Sequence, residues 1–335
     1  MHTIFSTIKK WVPNETRQRV TDALIKIQYG CLRIMFAIPE LISRRYITLH
    51  SRPKNARDVR ITYDAKRDYS DYAIILQGPI RTADRFTLES IYLYQKHFPG
   101  AFIVLSTWEG EDVASVQAAR NAGIEVLLNK KPPVPGLVNV NMQLVTSRAG
   151  VASARDHGKS FAVKTRTDQR FYSPFALSYM SNLVKEFPAA RPHTGRIGGI
   201  SANSILHKLY QFPDLLIFGH TADVLQYLSA EPVDNDAKLS FLDPKRPFTA
   251  ECYLCSEYAK KIGYTLKYTR EDFLTFVAEQ CIIADTSALD WFWFKTGSHY
   301  RRFFQARRGM YTDRKYDIDF SDWLDLYRSH FKTSL

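Results

Sequence analysis

Apolar runs alternate with segments of helical periodicity along most of the chain. The runs at residues 71–76, 101–107 and 124–128 have the length of buried strands, and the segments between them repeat apolar residues every three to four positions. The same alternation continues with a helical pattern over residues 141–154 and an apolar run that begins at Phe161. Strands that alternate with helices indicate an α/β fold with a mostly parallel sheet and right-handed crossovers.

The strand that begins at Phe161 ends in a cluster of charged side chains. Lys164, Arg166 and Arg170 supply three cations, and Asp168 supplies one carboxylate. Burying unpaired charge is costly, and the carboxyl ends of strands in open α/β sheets face the ligand crevice. We therefore interpret the cluster as a polyanion site, in which the cations neutralise phosphate oxygens and Asp168 holds a divalent cation. The alternative is a surface ion-pair cluster where the strand leaves the sheet.

A second strand end indicates the same class of ligand. The run at residues 71–76 is followed by Gln77, Gly78 and Pro79. Glycine and proline after a strand mark a sharp turn, where the backbone can approach a ligand closely. Two strand ends therefore carry groups suited to a nucleotide diphosphate. This predicts the nucleotide-binding half of an enzyme that uses a nucleotide sugar.

Six short blocks of the chain form an ordered set. They are ILQGPI at 75–80, LSTWE at 105–109, NMQ at 141–143, KTRTD at 164–168, DLLIFG at 214–219 and TAECYL at 249–254. In this order the blocks resemble the WavE family of lipopolysaccharide-synthesis proteins, and the resemblance covers roughly residues 72–327. It implies a glycosyltransferase with a GT-A-like (Rossmann-like) fold that builds the core of bacterial surface lipopolysaccharide. It also implies that Asn141 and Gln143 contribute to donor binding.

One position departs from the pattern of metal-dependent GT-A enzymes. Those enzymes usually carry Asp-x-Asp, whereas residues 166–168 read Arg-Thr-Asp. The resemblance implies a divalent cation, Mn²⁺ or Mg²⁺, that Asp168 would bridge to the diphosphate. Arg166 is the alternative source of positive charge, so metal dependence stays open at this point.

The second half of the chain is expected to complete the sheet and to bind the acceptor. Two of its carboxylates are candidates for catalysis, Asp214 before a buried strand pattern and Glu251 at the start of a helix. Asp214 resembles a position often used in related transferases, and its alternative role is that of a turn carboxylate. Glu251 is either a helix cap or the base that takes the proton of the acceptor hydroxyl. We rank Glu251 first as the base and Asp214 second.

The positive charge of the chain is concentrated near its N-terminus. Residues 1–60 contain 12 Lys and Arg against 4 Asp and Glu, so they carry +8 of the total net charge of +12. Between residues 25 and 45, cations interrupt the apolar sequence before it reaches the roughly 20 residues that span a bilayer. This predicts a basic amphipathic segment on an anionic membrane surface. The WavE resemblance implies that this surface is the cytoplasmic face of the bacterial inner membrane. The alternative is a pair of helices packed on the catalytic domain.

Other function classes are disfavoured by the sequence. Residues 299–308 mix arginine with aromatic residues, but no known nucleic-acid-binding motif accompanies them, so we expect no nucleic-acid partner. Cys252 and Cys255 form a CxxC without a second pair, which favours buried apolar cysteines over a zinc site. The aromatic residues between 291 and 327 are expected to pack in the core rather than to form a sugar-binding platform.

The expected organisation has two parts. Residues 1–65 form the basic extension, and residues 66–335 form the GT-A-like domain, with a nucleotide-sugar half at about 70–175 and an acceptor half at about 176–335. The expected partners are a nucleotide-sugar donor and a lipid-linked oligosaccharide acceptor. Two alternatives remain: another nucleotide-dependent transferase that moves a phosphoryl or phosphosugar group, and a non-catalytic glycan- or membrane-binding protein on the same fold.

Overall fold

The described part of the chain belongs to two compact units. The computed structural model describes residues 27, 30–31, 34–42, 68–190, 195–202, 204, 208–233, 249–294 and 317–331. One unit comprises residues 1–58 and 292–316, and the other comprises residues 59–291 and 317–335. Most of the predicted basic extension, and the arginine-rich stretch at 299–308, lie outside the described residues.

A seven-stranded sheet forms the centre of the larger unit. Its strands are β1 (Tyr72–Gln77), β2 (Phe102–Trp108), β3 (Glu125–Asn129), β4 (Phe161–Arg166), β6 (Ile197–Ile200), β7 (Ile217–His220) and β8 (Cys281–Ala284). They lie in the order β3-β2-β1-β4-β7-β6-β8. Neighbouring strands are parallel, except that β7 is antiparallel to both β4 and β6. Two short strands, β5 (Gln169–Phe171) and β9 (Trp291–Trp293), form a second sheet.

Eight α-helices lie in the described part of the larger unit. They are α1 (Phe86–His97), α2 (Val113–Asn121), α3 (Val140–Asp156), α4 (Ala176–Glu186), α5 (Thr221–Tyr227), α6 (Ala250–Lys261), α7 (Arg270–Gln280) and α8 (Phe320–Phe331). Two 3-10 helices, Ala83–Arg85 and Leu137–Asn139, precede α1 and α3. Asp112, Thr249 and Thr269 cap α2, α6 and α7 by accepting hydrogen bonds from backbone amides in the first turn.

The alternation of strands and helices confirms the predicted α/β fold with a mostly parallel sheet. The reversed direction of β7 was not predicted, because the apolar pattern of a strand does not indicate its direction. The reversal has a consequence for the site. β7 begins, rather than ends, at the edge where β1 and β4 end, so the residues just before β7 reach that edge.

A glycine allows helix α3 to approach the sheet closely. A Cβ atom at Gly150 would lie only 2.4 Å from Cγ2 of Ile75, the fully buried residue in the middle of β1. The close approach brings the first half of α3 to the end of β1, where the hydroxyl of Thr146 donates to Oε1 of Gln77 at 2.8 Å. The helix therefore supplies polar side chains to the carboxyl edge of the sheet.

Helix α8 is attached to the larger unit through a buried arginine. The Nη1 atom of Arg196 donates to the carbonyl oxygens of Ala278 and Cys281 at 2.6 and 3.1 Å. Its guanidinium lies 5.5 Å from the ring centre of Trp323 and 5.1 Å from that of Tyr327. Trp323 is fully buried, and its Nε1 donates to the carbonyl oxygen of Cys281 at 2.9 Å. Cation–π contact and hydrogen bonding thus hold α8 in place.

Two predictions about side-chain burial are confirmed. Trp291 and Trp323 are buried, as expected for core aromatics. Cys252 and Cys255 are buried free thiols on α6, and burial raises the pKa of both thiols, that of Cys252 to about 11. Such thiols behave as small apolar side chains rather than as nucleophiles.

The smaller unit contains an exposed apolar helical segment. Residues 34–42 are helical, and the side chains of Ile34, Ile38, Leu41 and Ile42 are between 67% and 80% exposed. No helix among the described residues is long and apolar enough to cross a bilayer. Contiguous exposed apolar side chains of this kind mark an interaction surface.

We expect Trp323→Ala to lower the free energy of unfolding by about 3–5 kcal/mol, because it removes a buried ring and two hydrogen bonds made by its Nε1. Trp323→Phe should cost less, since it keeps a ring beside Arg196. Urea denaturation at equilibrium measures both. Arg328→Ala, at an exposed position on the same helix, is the control and should change the value by less than about 0.5 kcal/mol. A loss below about 1 kcal/mol for Trp323→Ala would show that α8 does not depend on this contact.

Candidate functional site

Three strand termini bring the predicted site residues to one edge of the sheet. In the β1–β4 pair, Gln77 lies opposite Arg166. In the β4–β7 pair, Lys164 lies opposite Ile217, the first residue of β7. Asp214, three residues before β7, therefore lies beside the ends of β1 and β4. The register thus brings Lys164, Arg166 and Asp214 to one edge, and the carboxyls of Asp168 and Glu251 lie close enough to Lys164 and Arg166 to influence their pKa. We call Lys164, Arg166, Asp168, Asp214 and Glu251 the charged edge, and their role in binding or catalysis stays a prediction.

Arg166 and Asp168 form a two-point ion pair. Nε of Arg166 donates to Oδ1 of Asp168 at 2.9 Å, and Nη2 donates to Oδ2 at 3.1 Å. The side chains are 29% and 19% exposed. Burial alone would lower the pKa of Arg166, but the hydrogen bond and charge of Asp168 outweigh it and raise the pKa. The guanidinium therefore keeps its charge in a partly buried position, oriented by a strong charge-assisted contact.

Lys164 is completely buried at the end of β4. Its Nζ donates to the backbone carbonyl of Asp214, and Nε2 of Gln143 donates to the same oxygen at 3.3 Å. Burial lowers the pKa of Lys164 to about 8, although the Asp214 carboxyl opposes the shift. The ammonium thus holds the segment that leads into β7. The predicted contact of Lys164 with donor phosphate stays a prediction.

Glu251 lies half-buried in the first turn of α6, near Asp214. Thr249 caps this helix, because its Oγ1 accepts a hydrogen bond from the backbone amide of Cys252 at 3.2 Å. Thr249 is therefore the N-cap residue, and the Glu251 carboxyl adds hydrogen bonds with its own backbone amide and with the side chain of Thr249 in the same turn. Burial and the Asp214 carboxyl raise the pKa of Glu251 to about 7, with Lys208 acting in the opposite direction. A carboxylate with a pKa near neutrality is suited to general-base chemistry.

The turn after β1 has the sharp geometry predicted from its sequence. Gly78 has a φ of 110°, a conformation that strains any residue with a side chain. The carbonyl oxygen of Pro79 accepts a hydrogen bond from the hydroxyl of Thr167 at 2.5 Å. The turn is thereby fastened to the residue between Arg166 and Asp168.

Two further predicted donor residues make contacts within the protein. Nε of Arg170 donates to Oγ of Ser90 at 2.8 Å, and its guanidinium stacks 4.2 Å from the ring centre of Phe86. Oδ1 of Asn141 accepts from the backbone amide of Val233 at 2.8 Å. Arg170 thus joins β5 to the start of α1, and Asn141 joins the start of α3 to the loop after α5. Their contacts with a donor stay predictions.

The donor set for a divalent cation is limited in the described part of the chain. There, no group of three or more His, Cys, Asp or Glu side chains is placed to hold a metal ion. Both oxygens of Asp168 accept hydrogen bonds from Arg166, so a cation at Asp168 would compete with the ion pair. The described residues therefore do not fit a cation held by protein ligands alone. The use of Mn²⁺ or Mg²⁺ stays a prediction.

Two threonines that the sequence did not single out connect the parts of the site. Oγ1 of Thr87 accepts from the backbone amide of Arg81 at 2.9 Å and donates to the carbonyl oxygen of Thr167 at 3.0 Å. Both threonines are almost fully buried. Thr87 therefore joins the loop after β1 to the turn after β4. No sequence signal marks such a contact, because it depends on the register of β1 against β4.

A comparison with known protein families agrees with the fold. The model of the WavE lipopolysaccharide synthesis family matches residues 72–335, well over half of the chain. The chain belongs to the WavE family. Membership assigns it a role in lipopolysaccharide synthesis, and its mostly parallel sheet with flanking helices is consistent with a Rossmann-like glycosyltransferase fold. No curated protein matches this WavE-family chain.

The raised pKa of Glu251 predicts a pH-dependent stability. Because the pKa rises from 4.5 to about 7 on folding, the folded state binds the proton more tightly than the unfolded state. The resulting stabilisation is complete below pH 4.5 and is lost as the pH rises through 7. We therefore expect Glu251→Gln to be more stable than wild type by about 1–3 kcal/mol at pH 8, with the difference shrinking toward pH 5.

Urea denaturation at several pH values between 5 and 8 measures this effect. Glu257→Gln is a matched control, because Glu257 lies on the same helix and pairs with Lys260 at the surface. The difference in free energy of unfolding between Glu257→Gln and wild type should be the same across this pH range. If the difference between Glu251→Gln and wild type is also independent of pH, the carboxyl does not titrate as described.

Proposed function

We propose that the protein is a glycosyltransferase that transfers a sugar from a nucleotide-sugar donor to a lipid-linked oligosaccharide of the lipopolysaccharide core. One observation carries the proposal. The sheet gathers a guanidinium, an ammonium and three carboxylates at one edge, and one of those carboxyls, that of Glu251, has a pKa of about 7. Glycosyl transfer needs charge stabilisation for the departing diphosphate and a base for the acceptor hydroxyl.

The donor side of the reaction uses the cationic part of the charged edge. Negative charge develops on the diphosphate as the bond to the sugar breaks, and a pre-oriented cation stabilises that charge. Arg166 suits this role, because Asp168 fixes its orientation from one side while more than a quarter of its side chain stays exposed. Gly78 allows the backbone of the turn after β1 to come near the same ligand.

The acceptor side uses Glu251. In an inverting transfer, the acceptor oxygen attacks the anomeric carbon, the bond to the diphosphate breaks, and the hydroxyl proton passes to the carboxylate of Glu251. Burial, together with the nearby Asp214 carboxyl, raises the pKa of Glu251 to about 7, which suits this transfer near neutral pH. Lys164 in turn holds the backbone of Asp214. Product analysis separates this reaction from phosphoryl or phosphosugar transfer, which leaves phosphate on the acceptor.

A membrane surface is the proposed place of action. A lipid-linked acceptor is confined to a membrane, and we propose that the basic N-terminal part holds the protein on the cytoplasmic face of the bacterial inner membrane. The exposed apolar side chains of residues 34–42 and the net charge of +8 over residues 1–60 support this. Apolar burial combined with attraction to anionic headgroups is how interfacial helices bind.

We expect one variant to weaken nucleotide binding and a second variant to lower turnover while it still binds the nucleotide. Wild type should be stabilised in a thermal-shift assay by at least one nucleotide sugar from a panel of uridine, guanosine, adenosine and cytidine compounds, each tested with and without Mn²⁺ or Mg²⁺. Asp168→Asn should weaken that binding, because Arg166 loses its charged partner. Glu251→Gln should retain binding but lower kcat by about 10²–10⁴-fold on an extracted lipopolysaccharide-core acceptor.

Matched variants give the controls. Arg155 and Asp156 form a comparable but exposed contact, so Asp156→Asn should leave nucleotide binding unchanged. Glu257→Gln should leave kcat unchanged. Retained transfer in Glu251→Gln would remove this residue from the reaction. Absence of any nucleotide-dependent shift in wild type would favour a non-catalytic binding protein.

We expect the full-length protein to co-sediment with vesicles that contain phosphatidylglycerol more strongly than with pure phosphatidylcholine vesicles. Added salt should weaken the binding, because it screens the charge attraction. Leu41→Glu should also weaken it, because Leu41 is 80% exposed in the apolar helical segment. Val113→Glu is the matched control, since Val113 is equally exposed but lies on α2. Equal binding of both variants would contradict the role of the segment.

A further inference from the structure

A cavity of about 210 Å³ lies beside the charged edge, between α1 and α2. Its walls come from the loop after β1, from the first two turns of both helices and from β2. Ligand pockets for drug-sized molecules typically enclose about 300–1,000 Å³, so this space is suited to one ring system rather than to a complete nucleotide sugar.

The cavity has an apolar floor and a polar mouth. Leu88, Ile91, Leu105 and Ala119 contribute to the floor, and three of these four are almost completely buried. The mouth carries Arg81, Thr82 and Arg85, all of them exposed. A sugar ring does not suit such a floor, because its hydroxyls would lose their hydrogen bonds to water without replacement. A flat aromatic ring does suit it, and arginine side chains stack on such rings.

The backbone at the mouth is in an unusual conformation. Asp84 and Arg85 have φ values of 53° and 51°, although neither is glycine. Two consecutive residues in the left-handed region cost energy, and strain of this kind is concentrated at ligand clamps and active sites. The conformation belongs to the loop that carries Arg81 and Arg85 over the cavity.

The cavity is directly connected to the charged edge. Thr87 lines the cavity, and its hydroxyl donates to the carbonyl oxygen of Thr167, the residue before Asp168. Thr167 in turn donates to Pro79, in the turn after β1. Buried threonines therefore link the wall of the cavity to the turn that carries Arg166 and Asp168.

We propose that this cavity is a nucleobase subsite that receives the base of the donor while its diphosphate lies at the charged edge. The proposal rests on the proposed use of a nucleotide sugar. The floor contacts the faces of the base, and the guanidinium groups of Arg81 and Arg85 cover it from the mouth. Affinity for the nucleotide thus depends on the cavity, whereas affinity for free pyrophosphate does not.

The test compares two probes on one variant. Ala118→Leu places three additional carbon atoms in the cavity from a half-buried position on α2. Isothermal titration uses inorganic pyrophosphate and whichever of UDP, GDP, ADP and CDP gives the largest thermal shift with wild type. We expect Ala118→Leu to weaken nucleotide binding about tenfold or more. Pyrophosphate binding should stay within about twofold of the wild-type value.

Ala152→Leu is the matched control, because Ala152 is half-buried on α3 and does not line the cavity. Arg85→Gly is a second variant, which removes the guanidinium but tolerates the left-handed backbone, and it should also weaken nucleotide binding selectively. Unchanged nucleotide affinity in both variants overturns the subsite while leaving the proposed function in place. Equal loss of nucleotide and pyrophosphate binding overturns it too, as a structural effect. If no nucleotide binds wild type, the proposed function fails and the subsite with it.

Discussion

The buried ammonium of Lys164 is the constraint on which the rest of the site depends. An ammonium in the interior costs several kcal/mol unless polar and charged groups surround it. Its partner is the backbone carbonyl of Asp214, which reaches it only because β7 starts at the edge where β4 ends. The burial of the Lys164 ammonium therefore depends on the antiparallel direction of β7. The same arrangement brings the Asp214 carboxyl near Glu251.

Burial shifts the pKa values of the two kinds of charged group in opposite directions. It lowers the pKa of Lys164 to about 8 and raises that of Glu251 to about 7. Each group is thereby brought closer to neutral pH, where a small change in the surrounding charge alters its protonation. Arg166 differs, because its two-point contact with Asp168 keeps it charged. A fixed cation next to a carboxyl that titrates near pH 7 is the combination that glycosyl transfer with a general base requires.

Some parts of the site could be predicted from the sequence and others could not. The difference is whether a feature depends on local sequence or on contacts between residues far apart in the chain. The ends of β1 and β4 were predicted to meet because parallel neighbours share their carboxyl edge. Arg166 and Asp168 were predicted as ligands for phosphate and metal, with an ion-pair cluster as the alternative, and in the structure they bind each other. Neither the direction of β7 nor the contact of Thr87 with Thr167 follows from local pattern, because both depend on how distant segments align.

Under the proposed function, the cavity and the charged edge divide recognition of the donor between two chemically different surfaces. An apolar floor distinguishes ring systems by shape, whereas the charged edge responds to phosphate charge and to the acceptor proton. Thr87 joins the two without belonging to the reaction, since its hydroxyl is bonded to backbone on both sides. In the proposed donor complex, the buried hydrogen bonds of Thr87 and Thr167 fix the position of a nucleotide in the cavity relative to Arg166. With such rigid spacing, the binding energy of one part of the donor is used to orient the bond that breaks.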